Sequence, residues 1–225
     1  MLWILFLLLS LCWSHELWIE KRGGEYVLLY GHLRPGSGEE AQVRYDPSRV
    51  HSFECFDSEG RRLPSQIVSE YPVRLRGKCQ MVQANLSSGY WTKTPEGLKN
   101  LPREEVKNPI ESWYSVETVR RIEGRILAKT PLTDGLEITL LEDPSSLRTG
   151  QKFTVAVYYG GKALRDVPVY HNGRVVGTTG DDGRINLRVR EKGMQLIGVS
   201  VREKDQKGRA DYTLRTFYLL FEVGR

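Results

Sequence analysis

The sequence contains few of the residues that most often carry chemistry. It has three cysteines, three methionines and four histidines in 225 residues. There is no Cys-x-x-Cys pair, which disfavours a thiolate metal site. A Gly-x-Ser-x-Gly elbow and a phosphate-cradling glycine loop are also missing, which disfavours serine hydrolases and nucleotide-binding enzymes. We therefore expect a protein that is not an enzyme.

Runs of charge of one sign are missing as well. The chain has 33 Lys and Arg against 28 Asp and Glu, for a formal net charge of +5. The basic residues are spread among the acidic ones rather than interleaved with aromatic residues on a single face. This pattern is typical of a solvated surface, and we expect no nucleic-acid partner.

Long apolar runs are missing except at the start, in residues 2–13. This run has the length of a signal-peptide core and is too short to span a bilayer comfortably. No Lys or Arg precedes it, and Cys12 stands three residues before the proposed cut, where alanine is commoner. We predict a signal peptide over 1–14, export to the periplasm or medium, and no membrane span after cleavage.

Removal of the leader leaves two cysteines, Cys55 and Cys79. An even number of cysteines suits a compartment in which disulfides persist. Each lies in a stretch of alternating apolar residues, so we predict one disulfide between two strands of the same domain. For a loop of this size it would contribute about 3 kcal/mol of stability. A two-thiol metal site is the competing interpretation.

Helical spacing is rare in the mature chain, and short period-two stretches bounded by turn residues dominate. We predict an all-β protein of two β-sandwich, immunoglobulin-like domains in tandem, 15–131 and 132–225. The predicted strands of the first domain are 17–19, 26–30, 42–45, 50–56, 73–75 and 80–86. Those of the second are 136–141, 152–159, 167–170, 174–178, 184–190, 194–202 and 212–223.

Between residues 87 and 130 the pattern changes, and we predict a long irregular, aromatic-rich excursion between the domains. Within it, residues 112–122 fit either a short helix or a strand. We predict that Tyr90, Trp91, Trp113 and Tyr114 form an aromatic cluster. Such a cluster is a cap over one end of a sandwich or a surface for a ligand or partner.

His15 and His32 are the strongest candidates for chemistry. Cleavage after Ser14 would give His15 a free amine beside its imidazole, and the two groups together can chelate a metal. A hairpin centred on Gly23-Gly24 would set residue 15 opposite about residue 32. Three nitrogen donors suit Cu(II) or Ni(II), and Co(II) less tightly.

The remaining histidines are weaker candidates. His51 lies at the start of a predicted strand and is a candidate additional ligand, while His171 lies in an Asn-Gly turn, where we expect it to be solvated. Histidines at the ends of sandwiches are also often plain hydrogen-bonded residues, and this interpretation stands beside the metal site.

Several of these stretches carry a family resemblance. They are His15-Glu16-Leu17-Trp18-Ile19-Glu20, Leu29-Tyr30-Gly31-His32, Ser88-Gly89-Tyr90-Trp91-Thr92-Lys93-Thr94 and the C-terminal strands around Thr179-Gly180-Asp181-Asp182-Gly183-Arg184. They resemble a bacterial periplasmic family associated with cobalt and nickel uptake, similar to the nickel-uptake substrate-specific region and the periplasmic component of ABC-type cobalt transporters. The resemblance implies a two-domain periplasmic β protein that acquires divalent metal beside a membrane metal-uptake transporter.

Three functions follow from these observations. The first is a periplasmic metal-binding or accessory protein for nickel or cobalt uptake, with His15 and His32 as ligands. The second is an envelope adhesion or interaction module that binds no metal. The third is a copper-dependent oxidative enzyme, because the same histidine brace supports oxygen chemistry.

The processing site is directly testable. We expect mass spectrometry of the exported protein to show His15 as the first residue, since the leader ends at Ser14. If the mature chain begins elsewhere, His15 has no free amine. The metal-uptake function and the copper-dependent enzyme, as stated above, would then both be ruled out.

Overall fold

A computed structural model describes residues 15–224, and the predicted signal peptide, residues 1–14, lies outside the described residues. The predicted all-β class is confirmed. In chain order the strands are β1 Glu16–Arg22, β2 Glu25–Gly31, β3 Val50–Phe56, β4 Arg62–Leu63, β5 Gln66–Val68, β6 Arg74–Arg76, β7 Met81–Thr94, β8 Gly97–Lys99, β9 Glu111–Ile122, β10 Glu137–Leu140, β11 Lys152–Tyr159, β12 Lys162–Ala163, β13 Pro168–His171, β14 Arg174–Thr178, β15 Arg184–Arg188, β16 Gly193–Lys204 and β17 Tyr212–Val223. Short 3-10 helices cover Pro47–Arg49, Arg103–Glu105 and Pro144–Ser146.

The strands of residues 15–224 form three sheets. A nine-stranded central sheet has the order β14-β13-β16-β17-β9-β7-β3-β4, with β8 paired to β7. A four-stranded N-terminal sheet has the order β1-β2-β6-β5. A four-stranded C-terminal sheet has the order β10-β11-β12, with β15 paired to β11.

Strands from both halves of the chain meet in the central sheet, at the pairing of β9 with β17. This pairing is parallel and runs from Tyr212 opposite Trp113 to Phe221 opposite Ile122. The predicted domain boundary near residue 131 therefore does not coincide with a boundary between sheets. The division into 15–131 and 132–225, and the immunoglobulin-like form of two tandem sandwiches, stay predictions.

The two smaller sheets cover opposite faces of the central sheet, as β17 shows most clearly. Tyr218 and Leu220 pack in the core shared with the N-terminal sheet. Phe217, Leu219 and Phe221 pack in the core shared with the C-terminal sheet. Successive side chains of a strand point to opposite faces, so a strand buried on both faces is a continuous apolar run.

A buried ion pair joins the central and C-terminal sheets. The Arg120 guanidinium Nη2 lies 2.7 Å from Glu137 Oε1, and both side chains are at most 5% exposed. Arg120 Nε also donates to Gln83 at 2.8 Å. Glu137 accepts from the Leu132 amide at 2.7 Å and from the Thr133 hydroxyl at 2.9 Å. The pair is thus fully hydrogen-bonded, which is the condition for tolerating buried charge.

The prediction of a long irregular segment over 87–130 is wrong for most of these residues. The strand β7 continues to Thr94, and β9 covers 111–122, so the open choice for 112–122 is resolved as strand. The two strands pair continuously except for an irregularity between Ser87 and Gly89. The turn-forming residues there produce a bulge rather than ending the strand, because the aromatic and β-branched residues on either side fit a pleated sheet.

The predicted strand at 42–45 is also wrong. Gln42 forms one isolated bridge with Gly31, and residues 43–45 belong to no strand. Tyr45 instead buries its ring, and its hydroxyl donates to the Leu28 carbonyl at 2.8 Å.

The predicted disulfide is confirmed between Cys55 and Cys79, whose Cα atoms lie 5.3 Å apart. Cys55 belongs to β3, whereas Cys79 lies just before β7 rather than within a strand. The bond therefore ties β3 to the entry of its neighbouring strand.

Breaking the buried ion pair should destabilise the fold strongly. We expect Glu137→Ala to lower the free energy of unfolding by about 3–5 kcal/mol, because it leaves Arg120 buried without a counter-charge. The double variant Arg120→Met with Glu137→Leu should recover most of that loss. Urea unfolding, with the exposed Glu70→Ala as control, measures both. A loss for Glu137→Ala no larger than that of the control would contradict this account.

Candidate functional site

The β1–β2 hairpin places the two predicted ligands side by side. Arg22 pairs with Glu25 and Glu16 with Gly31, so a two-residue turn at Gly23-Gly24 sets the register. Both glycines have positive φ, as such a turn requires. Continued by one residue, this register sets position 15 opposite position 32, as predicted from the sequence.

The rings of His15 and His32 lie with their centroids 5.2 Å apart and their planes at 54°. The His15 ring also lies 5.2 Å from the ring of Tyr30. The structure therefore brings the two predicted ligands together at the open end of the hairpin.

Two features hold His32 in place. Gly31 has φ +142°, and a Cβ on this residue would lie 2.5 Å from the Ala41 carbonyl oxygen, so a larger residue does not fit. The Glu16 carboxylate accepts a hydrogen bond from the Leu33 amide at 3.0 Å, which ties the chain after His32 back to β1. Burial is the main cause that raises the pKa of Glu16, and this hydrogen bond opposes it.

The site favours a neutral His15 imidazole. Burial, and secondly the neighbouring His32, lower its pKa below the ordinary 6.5, while Glu40 opposes the shift. Glu39 Oε2 lies 3.7 Å from His32 Nδ1, which is too long for a hydrogen bond. A neutral imidazole is the form that binds metals.

Two tyrosines lie beneath the histidines. The Tyr218 hydroxyl donates to the His15 carbonyl at 3.4 Å, and Tyr30 packs against the His15 ring. Burial first, and the charge of Glu117 second, raise the pKa of both phenols well above 10. Both phenols therefore stay protonated at neutral pH, and the Tyr218 hydroxyl is the donor to His15.

Glu117 is a buried carboxyl group on β9, 5% exposed, on the same face of the central sheet as Tyr218. Ser115 Oγ lies 3.4 Å from its Oε1, whereas its Oε2 is buried without a hydrogen-bond partner within residues 15–224. Burial raises the pKa of Glu117 to about 7, although the Ser88 and Ser115 hydroxyls lower it.

Side chains alone do not complete a metal site. Within the described part of the chain, no group of three His, Cys, Asp or Glu residues is placed to hold a metal ion. The predicted donor set needs only His15 and His32 side chains, because its third nitrogen is the α-amine that cleavage after Ser14 would free.

The other two histidines are not part of the pair. His51 is an exposed residue of β3, and it does not join His15 and His32 in a group of three. The expected solvation of His171 is wrong. Its ring is buried, its Nε2 lies 2.9 Å from Gln195 Oε1, and it meets Phe153 edge to face. The Asn-Gly turn begins only after His171, so the ring still faces the core.

The predicted aromatic cluster divides between the two faces of the central sheet. Trp91 is paired with Trp113, and Trp113 stacks on Tyr212 with centroids 6.3 Å apart. Tyr90 is paired with Tyr114 on the alternate face, with centroids 4.8 Å apart. Neighbouring residues of a strand point to opposite sides. A role for these residues as a ligand or partner surface stays a prediction.

Sequence reasoning missed Glu16, Glu39 and Glu117. Glu16 is adjacent to His15, but its partner lies on the loop after β2, which no local pattern predicts. Glu117 occupies an inward position between Ser115 and Val119 of a strand with alternating pattern. An acidic residue at an inward position of a strand could have indicated a buried carboxyl group. The sequence did not show that this position faces inward, because the segment fitted a helix as well as a strand.

A family model described as "Domain of unknown function (DUF4198)" matches residues 12–203. A comparison with curated proteins finds no match. Over residues 15–224, no helix has the length and apolar character needed to cross a membrane.

The Glu117 carboxyl should make stability depend on pH. A pKa of about 7 against an ordinary 4.5 corresponds to a cost of roughly 3 kcal/mol for the ionised form. The folded state keeps a proton between these values that the unfolded state has released, so stability falls as pH rises through this window.

The variant Glu117→Gln removes this titration. We expect its free energy of unfolding to exceed that of the wild type by roughly 3 kcal/mol at about pH 8, and to approach it near pH 4.5. Urea unfolding across this range measures the difference, with the exposed Glu70→Gln as control. A difference that does not change with pH would argue against a buried, protonated Glu117.

Proposed function

This chain belongs to the family described as domain of unknown function (DUF4198), and we propose that it is an exported protein that binds a divalent transition metal through His15 and His32. The ion is cargo in this proposal, nickel or cobalt, passed to a membrane metal-uptake transporter. Copper is the further candidate ion. The family description names no activity, so the proposal is built on the geometry of the site.

The observation that carries the proposal is the separation of the two imidazole rings. A metal–nitrogen bond of about 2.0–2.1 Å places an ion roughly 3.2 Å from each ring centroid. Two rings on opposite sides of one ion would then have centroids up to about 6.5 Å apart. The 5.2 Å between His15 and His32 lies within that limit. The separation of the rings is therefore compatible with one ion bound by both histidines.

The donor set supports nickel, copper and cobalt over calcium or magnesium. Two imidazoles and an amine are nitrogen ligands, which first-row transition metals prefer, whereas calcium and magnesium take oxygen ligands. Affinity in such sites rises from cobalt through nickel to copper. A preference for nickel or cobalt would then depend on which ion is available and on the partner transporter.

The setting of the pair also supports binding near neutral pH. The pKa of His15 is lowered, so its imidazole is neutral there. The α-amine of a mature His15 must lose its proton to bind, and its ordinary pKa is about 8. Affinity should therefore fall as pH drops below about 8.

The proposed location is the periplasm. The disulfide between Cys55 and Cys79 suits an oxidising compartment. The apolar leader and the resemblance to periplasmic metal-uptake proteins support the same location. The adhesion module and the copper-dependent enzyme are the alternatives that the following experiment separates.

Calorimetric titration tests the site. We expect the mature protein, with His15 as its first residue, to bind one Ni(II), Co(II) or Cu(II) ion. His32→Ala should weaken binding on the order of 100-fold, since it removes one of three donors. A form with one extra residue before His15 should lose affinity similarly, because the chelating amine has moved away.

His51→Ala is the matched control, since this histidine lies apart from the pair, and it should bind as the wild type does. Unchanged binding in His32→Ala would refute the site, and an absence of binding by all three ions would favour the adhesion module. Oxygen-dependent turnover of the copper-loaded protein would favour the enzyme.

A further inference from the structure

Two segments rich in cations run side by side at one end of the C-terminal sheet. Residues 148–152 and 188–192 are joined by backbone hydrogen bonds, from the Gly150 amide to the Val189 carbonyl at 2.8 Å and from the Val189 amide to the Gln151 carbonyl at 3.0 Å. Arg34, from the loop after His32, reaches the same place by pairing with Glu191. We call the six cations together the basic rim: Arg34, Arg148, Lys152, Arg188, Arg190 and Lys192.

The charge of the rim is not neutralised by the protein. Five of its six cations, all but Arg34, are exposed and form no ion pair with a residue of the range 15–224. The one acidic residue within the two segments is Glu191, which Arg34 occupies. Six cations and one anion carry +5, equal to the formal net charge of the entire chain. The charges of the remainder of the molecule therefore sum to zero.

Two acidic residues close to the rim in sequence, Glu142 and Asp143, have partners of their own. The Glu142 carboxylate accepts from the Thr154 amide at 2.7 Å. Asp143 accepts from the Ser145 amide and lies 4.0 Å from the Arg125 guanidinium. These carboxylates border the rim without neutralising it.

The rim is not a closed pocket for a small anion. Arg148 and Lys192 line one cleft, but Glu123 and Glu222 line it too. Both carboxylates lie against Arg121, so the cleft contains charges of both signs. The cations are spread along two segments instead of converging on one point.

The arrangement also works against the stability of the fold. Lys152 is directly opposite Arg188 on the neighbouring strand, and like charges in this position repel. Uncompensated charge of one sign disfavours the compact state in general. An extended anionic surface outside the protein would relieve this repulsion.

We propose that the basic rim docks this protein on the anionic headgroups of a membrane surface. Exposed, spread cations suit a fluid layer of headgroups, and each contributes roughly fivefold to binding. The segments 148–152 and 188–192 contain no aromatic residue, whereas binding of single-stranded nucleic acid relies on stacking. The disulfide suits a compartment that borders membranes and contains little nucleic acid. The proposal does not depend on metal binding by His15 and His32.

Vesicle sedimentation tests the proposal with the exported form of the protein, both histidines intact. Vesicles of phosphatidylcholine alone are compared with vesicles that also contain phosphatidylglycerol. We expect binding only to the second kind, and loss of binding at about 1 M salt, where the Debye length is about 3 Å. The triple variant Arg188→Gln, Arg190→Gln and Lys192→Gln should bind on the order of 100-fold more weakly.

The matched control removes the same charge elsewhere. Lys93, Lys99 and Lys107 are exposed and lie near the opposite end of the central sheet. Changing all three to Gln should leave vesicle binding within about twofold of the wild type. Circular dichroism should show that both triple variants keep the fold, since every substituted side chain is exposed.

Three results would overturn the proposal. They are no binding to anionic vesicles at low salt, an equal loss in the control variant, and tighter binding to double-stranded DNA than to the anionic vesicles. The last result would assign the rim to nucleic acid instead of lipid.

Discussion

The parallel pairing of β17 with β9 is the constraint on which the rest of the structure depends. It joins the two halves of the chain in one sheet, from Tyr212 to Phe221, and so buries β17 on both faces. Each smaller sheet then has an apolar surface to cover. The central sheet contributes one face to each of the two cores. A shift of one residue in the register of β17 would therefore move its side chains from one core to the other.

Buried ionisable side chains of the central sheet are stabilised in two different ways. Arg120 and Glu137 form a closed network in which the neighbouring polar groups also take part. Glu117 has no counter-charge among the described residues, and its Oε2 has no hydrogen-bond partner there, so burial raises its pKa to about 7. The first arrangement fits a fixed contact between sheets. The second lies near Tyr30 and Tyr218, whose pKa values it raises, and strongly perturbed pKa values are more common at functional sites than in plain scaffold.

The histidine pair and the basic rim share a segment of chain. The loop after β2 carries His32, and two residues later Arg34 reaches Glu191 at the rim. Glu16 holds the start of this loop through the Leu33 amide. The proposed metal site and the proposed docking surface are therefore connected by a few residues of backbone, although neither proposal requires the other.

The sequence alone determined the features that depend on neighbours along the chain. The period-two pattern predicted an all-β protein, the Gly23-Gly24 turn set the register that pairs positions 15 and 32, and the cysteine count identified the disulfide. Such features follow from local backbone preference, which a few residues encode. The aromatic excursion was misread because turn residues such as Gly89 serve equally in a loop and in a bulge.

Only the tertiary structure decided what distant segments do together. It joined β9 to β17 and buried Glu117 beneath the histidines. Cations that look evenly mixed along the sequence were gathered into one rim, from residues as far apart as Arg34 and Lys192. Pairing between remote strands is set by the summed burial of whole faces, and no short stretch of sequence contains that information.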